Sequence, residues 1–291
     1  MKIPVYFCDF WKWNLPDTPG GRCFIWDCIS DLCELADPQR AEIIIHGNYG
    51  QEVRHWPKKK KIYHTQEPYG KYPLDAGLRT EADICFSYDP DGPRNVRVPN
   101  WLNYLVDGGR AAESVFPDIS PELDYMRPAA VAPAGVFRDR AGFCLAMVSN
   151  PACRPRNAIM DALAERNLLA SGGAWMNNQG KRLHKYREAG RYKYILAYEN
   201  CRQPGYVTEK IVDAVNYGGI PVWWGALQTD FNPARMLDRS RFPDDAALIA
   251  RMEYLADHPA EYARIVSEPL FREDPRPLIR ARIRAAVLQL S

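Results

Sequence analysis

The residues best placed to do chemistry lie in one stretch, Tyr192–Ala226, which reads YKYILAYENCRQPGYVTEKIVDAVNYGGIPVWWGA. Tyr194–Tyr198 is apolar and aromatic, as a buried strand is. Glu199 and Asn200 break that run, and Pro204-Gly205 marks a turn. Thr208 stands where a helix N-cap would, with Glu209 and Lys210 in the first turn after it. Ile211, Ala214 and Val215 give the helix an inward face, Gly218-Gly219 ends it, and Ile220–Trp224 is the next strand. A helix N-terminus presents N–H groups without intrahelical partners and a partial positive charge, which suits a phosphate. Lys210 adds a full charge at that point, and Glu209 offers acceptors for sugar hydroxyls. Taken by itself, the pattern also fits an ordinary amphipathic helix with two solvated charges, the commoner case for a strand–turn–helix.

Other candidates stand at the ends of predicted strands. Glu67, in Thr65-Gln66-Glu67-Pro68, follows the predicted strand Lys60–His64, a position from which a carboxylate can face a crevice. His64 is its rival as a general base, since histidine fills that role most often. Arg156 follows the apolar run Phe143–Val148 at the start of a predicted helix. A planar guanidinium there can hold phosphate oxygens with two parallel bonds. The plain alternatives are a loop carboxylate for Glu67 and a surface ion pair for Arg156. Trp11 and Trp13 lie in a loop rich in Trp, Pro and Gly, where they suit either stacking on sugar rings or packing. Asp89-Pro90-Asp91 has the form of a metal-binding carboxylate pair, but a proline separates the two.

These segments resemble the α-1,3/4-fucosyltransferases of glycosyltransferase family 10. The likeness rests on Tyr192-Lys193-Tyr194, Tyr198-Glu199-Asn200-Cys201, Tyr206-Val207-Thr208-Glu209-Lys210 and Pro221–Gly225. Tyr198 and Cys201 replace the family's Phe and Ser. Ser149-Asn150-Pro151 with Arg156-Asn157 fits as well, and so, with altered spacing, does Ser171-Gly172-Gly173 with Asn177-Asn178. Coverage is strong from Phe143 to Gly225 and weak before Ile43. The resemblance implies a GT-B type α/β fold, two Rossmann-like domains facing a cleft. It also implies transfer of L-fucose from GDP-β-L-fucose to an acceptor glycan with inversion, to N-acetylglucosamine in α-1,3 or α-1,4 linkage. On it, Glu67 is the base, and Arg156 and Lys210 stabilise the departing diphosphate. Glu199, Asn200, Tyr206 and Glu209 line the donor pocket. Read from the residues themselves, Trp11, Trp13 and His64 are the candidates for acceptor contact. The paired cations stand where a metal would, so no divalent metal is expected to be required. Closure of the domains is expected to bring base and donor together. The alternatives are a GT-B enzyme using another sugar nucleotide and an inactive carbohydrate-binding relative.

Strands alternating with helices argue for parallel-sheet α/β domains. The 291 residues suffice for two of them. A Pro- and Ala-rich stretch from Val106 to Asp139 places the junction, giving an acceptor domain at 1–138 and a donor domain at 139–291 with its terminal helix packing back on the body. The net charge of +2 lacks the basic imbalance of nucleic-acid binders. Of the eight cysteines, Cys23, Cys28 and Cys33 lack the spacing of a zinc knuckle, and several others sit in apolar runs. The N-terminus has no signal-peptide pattern and no stretch is long and apolar enough to span a membrane, so a cytoplasmic protein is expected. Helices are predicted over Phe24–Ala36, Asn157–Arg166, Ala246–Asp257, Pro259–Val266 and Arg276–Leu290. The last has Arg276, Arg280 and Arg284 on one face and Ile279, Ile283, Val287 and Leu290 on another. Besides packing on the body, it could touch an anionic membrane surface.

Overall fold

Two runs of short apolar segments each build a parallel sheet. The computed structural model describes residues 2–18, 23–65, 67–71, 75–105, 140–183, 188–216, 218–226 and 230–291. The first sheet contains β1 (Ile3–Cys8), β2 (Cys33–Leu35), β3 (Ile43–His46), β4 (Lys60–His64), β5 (Ile84–Ser87) and β6 (Asn95–Arg97), in the order β2-β1-β3-β4-β5-β6. The second contains β7 (Gly142–Ala146), β8 (Leu169–Ser171), β9 (Tyr192–Tyr198), β10 (Ile220–Trp224) and β11 (Leu237–Asp238), in the order β11-β10-β9-β7-β8. Every pairing between these strands is parallel. Parallel strands are covered on both faces, which explains why β3 reads Ile-Ile-Ile-His and is buried throughout.

The chain divides into two compact units. One comprises Met1–Tyr104, Gln203–Thr208 and Pro275–Ser291; the other comprises Leu105–Arg202 and Glu209–Asp274. The boundary expected at 138/139 falls outside the described residues. The structure also corrects the expected division, because the terminal helix and the segment Gln203–Thr208 belong to the first unit, not the second.

The reason is visible in the terminal helix (Arg276–Leu290). Its Ile279, Ile283, Ala286 and Val287 are buried against α1 (Phe24–Ile29) and β6. Arg280 donates to Asp27 O at 3.2 Å. Arg284 donates to Cys28 O at 3.0 Å and pairs with Asp31 at 2.5 and 3.0 Å. These carbonyls close the last turn of α1, where the helix's own bonding has ended. Two of the three arginines that a membrane surface would have attracted are thus bonded to the first unit.

The helix expected over Phe24–Ala36 ends at Ile29. Leu32 N closes a turn on Ile29 O at 2.9 Å, and Cys33–Leu35 then pairs with Ile3–Val5. Here the sheet edge, which needs partners for its N–H and C=O groups, outweighs local helical preference. The first unit also holds α2 (Asp75–Glu81), which the sequence pattern did not signal.

In the second unit, α3 (Arg154–Glu165), α4 (Glu209–Asn216), α5 (Asp245–Asp257) and α6 (Pro259–Ser267) cover the sheet. Ile159, Met160 and Leu163 of α3 and Leu248, Met252 and Leu255 of α5 form one core with Tyr194, Leu196, Ile220 and Val222. The hydroxyl of Tyr194 donates to Met252 O and that of Tyr262 to Lys193 O, both at 2.7 Å. Two aromatic side chains thereby reach polar partners while burying their rings. All eight cysteines are free and seven are buried. Burial pushes the Cys23, Cys28 and Cys144 thiols up to about 12, which keeps them protonated and inert. Among the described residues, no helix is long and apolar enough to cross a membrane.

Two buried histidines make stability depend on pH. His46 is 1% and His64 2% exposed, and burial lowers both to about 4. The unfolded chain takes up these protons near the ordinary value of about 6.5, so below that pH the unfolded state binds more protons. Stability is therefore full above about pH 6.5 and is lost as pH falls toward 4, by about 3 kcal/mol for each histidine. Urea midpoints measured across this interval should fall more steeply for the wild type than for His64→Gln. Equal slopes would remove His64 as a cause.

Candidate functional site

In each sheet the strand order reverses once, between β1 and β3 in the first and between β7 and β9 in the second. The chains leaving the carboxyl ends of two such strands diverge to opposite faces and open a crevice, the usual ligand site of parallel α/β sheets.

At the second reversal, β7 runs out through Met147-Val148-Ser149-Asn150 and β9 through Glu199-Asn200. These segments and the start of α4 surround a cavity of about 250 Å³ lined by Ser149, Asn150, Arg156, Asn200, Glu209 and Lys210, among others. Glu199, expected to line the donor pocket, is not among the lining residues: it is fully buried, its backbone N–H donating to Trp224 O at 2.8 Å. Lys210 Nζ is 3.0 Å from Glu199 Oε2 and 3.7 Å from Glu209 Oε1. The ammonium is thus held by two carboxylates in the first turn of α4, a helix whose N-terminus favours an anion.

Arg156 is 2% exposed. Its Nη1 donates to Asn200 Oδ1 at 2.7 Å and to Tyr198 O at 3.4 Å, and its Nη2 to Asn150 O at 2.6 Å. The expected role was a two-pronged phosphate contact. The observed bonds instead tie the loop after β7 to the end of β9, and so hold Asn150 and Asn200 at the cavity. Tyr206 differs more from expectation. It does not line this cavity: it is buried in the first unit, its ring edge-on to Tyr88 at 5.4 Å. The segment Gln203–Thr208, which carries Tyr206, belongs to the first unit, although Arg202 before it and α4 after it belong to the second.

At the first reversal, Asp9 follows β1 with a φ of 59°. Its carboxylate accepts from Glu52 N at 3.0 Å and Val53 N at 2.9 Å, and its carbonyl accepts from Tyr49 N at 2.9 Å. The loop after β3 is fixed by these bonds. Trp11, 53% exposed, stands edge-on to Tyr49 at 5.6 Å. The Tyr49 hydroxyl donates to Glu67 Oε1 at 2.9 Å, and Lys71 Nζ lies 2.6 Å from Glu67 Oε2. Glu67 is therefore a held carboxylate three residues past the end of β4, bonded to a tyrosine whose ring meets the exposed Trp11. Trp13 lies in the 3-10 turn Lys12–Asn14, and its side chain lies outside the described residues.

His64 does not fit the acceptor role. It is buried, its Nδ1 2.8 Å from Phe86 O and its ring stacked on Phe10 at 5.8 Å; the next strand over covers what looked like a strand end. Asp89 pairs with Arg79 at 3.1 Å, and Asp91 accepts from Arg97 N at 2.9 Å and pairs with Arg282. Both carboxylates serve the first unit's own structure. Tyr49, Lys71 and Asn150 were not anticipated as partners of the candidate residues. Lys71, four residues beyond Glu67 across a Pro-Tyr-Gly turn, is the one that sequence spacing could have revealed.

Residues 138–267 match the model of the glycosyltransferase family 10 (fucosyltransferase) C-terminal region. This segment is a family 10 glycosyltransferase domain. Arg156, Glu199, Asn200, Glu209 and Lys210 all fall inside it. The chain is 34% identical to the alpha-(1,3)-fucosyltransferase FucT of Helicobacter pylori over 132 residues, 44% of this chain and 28% of that protein. It is 34% identical over 82 residues to an alpha-(1,4)-fucosyltransferase of Arabidopsis thaliana, 28% of this chain and 20% of that one. The chain thus matches less than a third of the length of these curated relatives. A crystal structure of an alpha1,3-fucosyltransferase with GDP-fucose matches with a TM-score of 0.72 at 20% identity, over 99% of this chain and 90% of that one. The fold is of the GT-B type.

Within the family 10 domain, Arg156 carries a stability prediction. Arg156→Ala removes charge-assisted bonds to three oxygens, each of which in general contributes about 1.5–3 kcal/mol. The two short bonds alone set a loss of at least about 3 kcal/mol in urea denaturation, with less than half recovered by Arg156→Lys, which lacks the planar fork. An unchanged midpoint in Arg156→Ala would contradict the tethering role.

Proposed function

We propose that the chain is an inverting fucosyltransferase that moves L-fucose from GDP-β-L-fucose to an acceptor glycan, in α-1,3 or α-1,4 linkage to N-acetylglucosamine. The observation that supports it best is the cavity at the β7/β9 reversal. It lies within a family 10 domain and gathers Glu209, Lys210, Asn150 and Asn200 at a helix start. The relatives, an alpha-(1,3)- and an alpha-(1,4)-fucosyltransferase, support fucose as the sugar and these two linkages.

In the reaction an acceptor hydroxyl attacks the anomeric carbon of fucose from the face opposite the diphosphate. A new C–O bond forms, the bond to the β-phosphate oxygen breaks, and GDP departs with the electron pair. The acceptor proton passes to Glu67, the general base. Lys210 and the N–H groups at the start of α4 meet the charge that grows on the leaving diphosphate. Arg156 keeps Asn150 and Asn200 in place around the nucleotide, and Glu209 accepts from sugar hydroxyls. Trp11 and Tyr49 offer an aromatic surface to the acceptor. With a lysine and a helix N-terminus on the diphosphate, the reaction needs no obligatory divalent metal.

A panel of nucleotide sugars tests the donor. GDP release and binding should be greatest with GDP-fucose and should persist in the presence of a chelator. Turnover of a different sugar nucleotide, with GDP-fucose neither bound nor consumed, would remove the donor assignment.

A further inference from the structure

The loop that carries Glu67 is held by a side chain from a distant part of the sequence. Lys71 N bonds Pro68 O at 3.2 Å, closing a turn with Tyr69 and Gly70 at its corner. Gly70 has a φ of +80°, as the third position of a type II turn requires. This turn brings Lys71 back onto Glu67. Its corner is gripped by Gln203. The Gln203 Oε1 accepts from Tyr69 N at 3.1 Å and from the Tyr88 hydroxyl at 2.9 Å, and its Nε2 donates to Tyr69 O at 3.3 Å. One amide thus bridges both backbone groups of a single loop residue, sharing the Tyr69 N–H with the Tyr88 hydroxyl, which accepts from it at 3.0 Å. Tyr69 is further sandwiched between the Tyr88 ring, stacked at 4.7 Å, and the Arg79 guanidinium, 3.7 Å from its ring centroid.

The segment around Gln203 is itself closely fitted. Gly205 has a φ of +80°, and a Cβ there would lie 2.3 Å from Tyr88 O, so only glycine allows the chain to press this closely. Gln203, Gly205 and Tyr206 all meet Tyr88 or Tyr69 within the first unit.

We propose that Gln203 is a positioning residue for Glu67: its amide, bridging Tyr69 N and O, fixes the 67–71 turn from which the base acts. This rests on the assignment of Glu67 as the base of fucosyl transfer. Gln203 touches neither substrate nor reacting atoms, and its effect runs through the backbone of Tyr69. A displacement of about 1 Å in a reacting group costs up to about a hundredfold in rate, so the loss should appear in kcat.

The test compares Gln203→Met, which keeps length and removes every bond, with Gln203→Glu, which keeps the acceptor for Tyr69 N and loses the donor to Tyr69 O. Two readouts are taken from each, hydrogen exchange of the peptide spanning residues 67–71 and steady-state transfer. Gln203→Met should raise exchange across residues 67–71 and lower kcat by about 10–100-fold, with the Kd for GDP-fucose unchanged within about twofold. Gln203→Glu should fall between Gln203→Met and wild type in both, and it stands in if Gln203→Met does not fold. Because Tyr69 N keeps the Tyr88 hydroxyl as an acceptor, exchange is read over the whole turn: unchanged exchange across residues 67–71 overturns the proposal whatever the activity, as does exchange that rises while kcat stays at the wild-type value. If the wild-type protein shows no fucosyl transfer, the functional assignment has failed, and the exchange measurement still decides whether Gln203 holds the turn.

Discussion

Lys210→Met is expected to lower kcat for sugar transfer by about 10²–10³-fold, the usual result of removing one fixed group that meets developing negative charge. The charge on a departing diphosphate grows as its bond to the sugar breaks, so the ammonium gains most in the transition state and kcat falls more than donor affinity. The same substitution has a second consequence. Glu199 is fully buried and bonded to Lys210 at 3.0 Å. Without the lysine it becomes a buried carboxylate without its cation, at a cost of about 3 kcal/mol or more. The two effects separate in Lys210→Met/Glu199→Gln, which replaces the stranded charge by a neutral amide. Stability in urea should return toward wild type while kcat stays low. Recovery of both together would mean that Lys210 acts only as a structural counterion.

Glu67→Gln carries the other large effect. A positioned general base contributes about 10²–10⁴-fold, so kcat should fall by that factor. The Kd for GDP-fucose should hold, because the residues assigned to the donor lie in the other unit. The amide can still accept from Tyr49 but loses the ion pair with Lys71; hydrogen exchange across residues 67–71 equal to wild type assigns the loss to basicity. Tyr49→Phe should cost less, about 3–10-fold, since it removes one orienting bond of ordinary strength. Transfer by Glu67→Gln within about threefold of wild type would remove Glu67 as the base.

The parts of the chain that could be read in advance are those where local pattern and tertiary role coincide. Lys60–His64, Ile220–Trp224 and Arg276–Leu290 match the observed elements at both ends. The two strands are bounded by turn residues or polar breaks, and the helix repeats its apolar face without interruption. Cys33–Leu35 was not legible, because its strand state comes from pairing with Ile3–Val5, a partner thirty residues away. Within the site, Glu209 and Lys210 followed from a strand–turn–helix, and the family likeness gave them meaning. Arg156 was found but its bonds were not, since sequence shows that a guanidinium is near a strand end without showing which carbonyls end there. Tyr206 and His64 failed for a shared reason. Each sits next to functional residues in sequence, and in each case a neighbouring element, Tyr88 or β5, covers the side chain. The grip of Gln203 on Tyr69 joins residues 134 positions apart, and no spacing rule reaches that far.

The most direct measurement is the anomeric configuration of the product. With GDP-β-L-fucose and an N-acetylglucosamine-containing acceptor, proton NMR of the purified product should show one new fucose in α linkage, formed at the same rate as GDP is released. A β-linked product, or GDP release with no fucose on any acceptor, would contradict inverting fucosyl transfer by this chain.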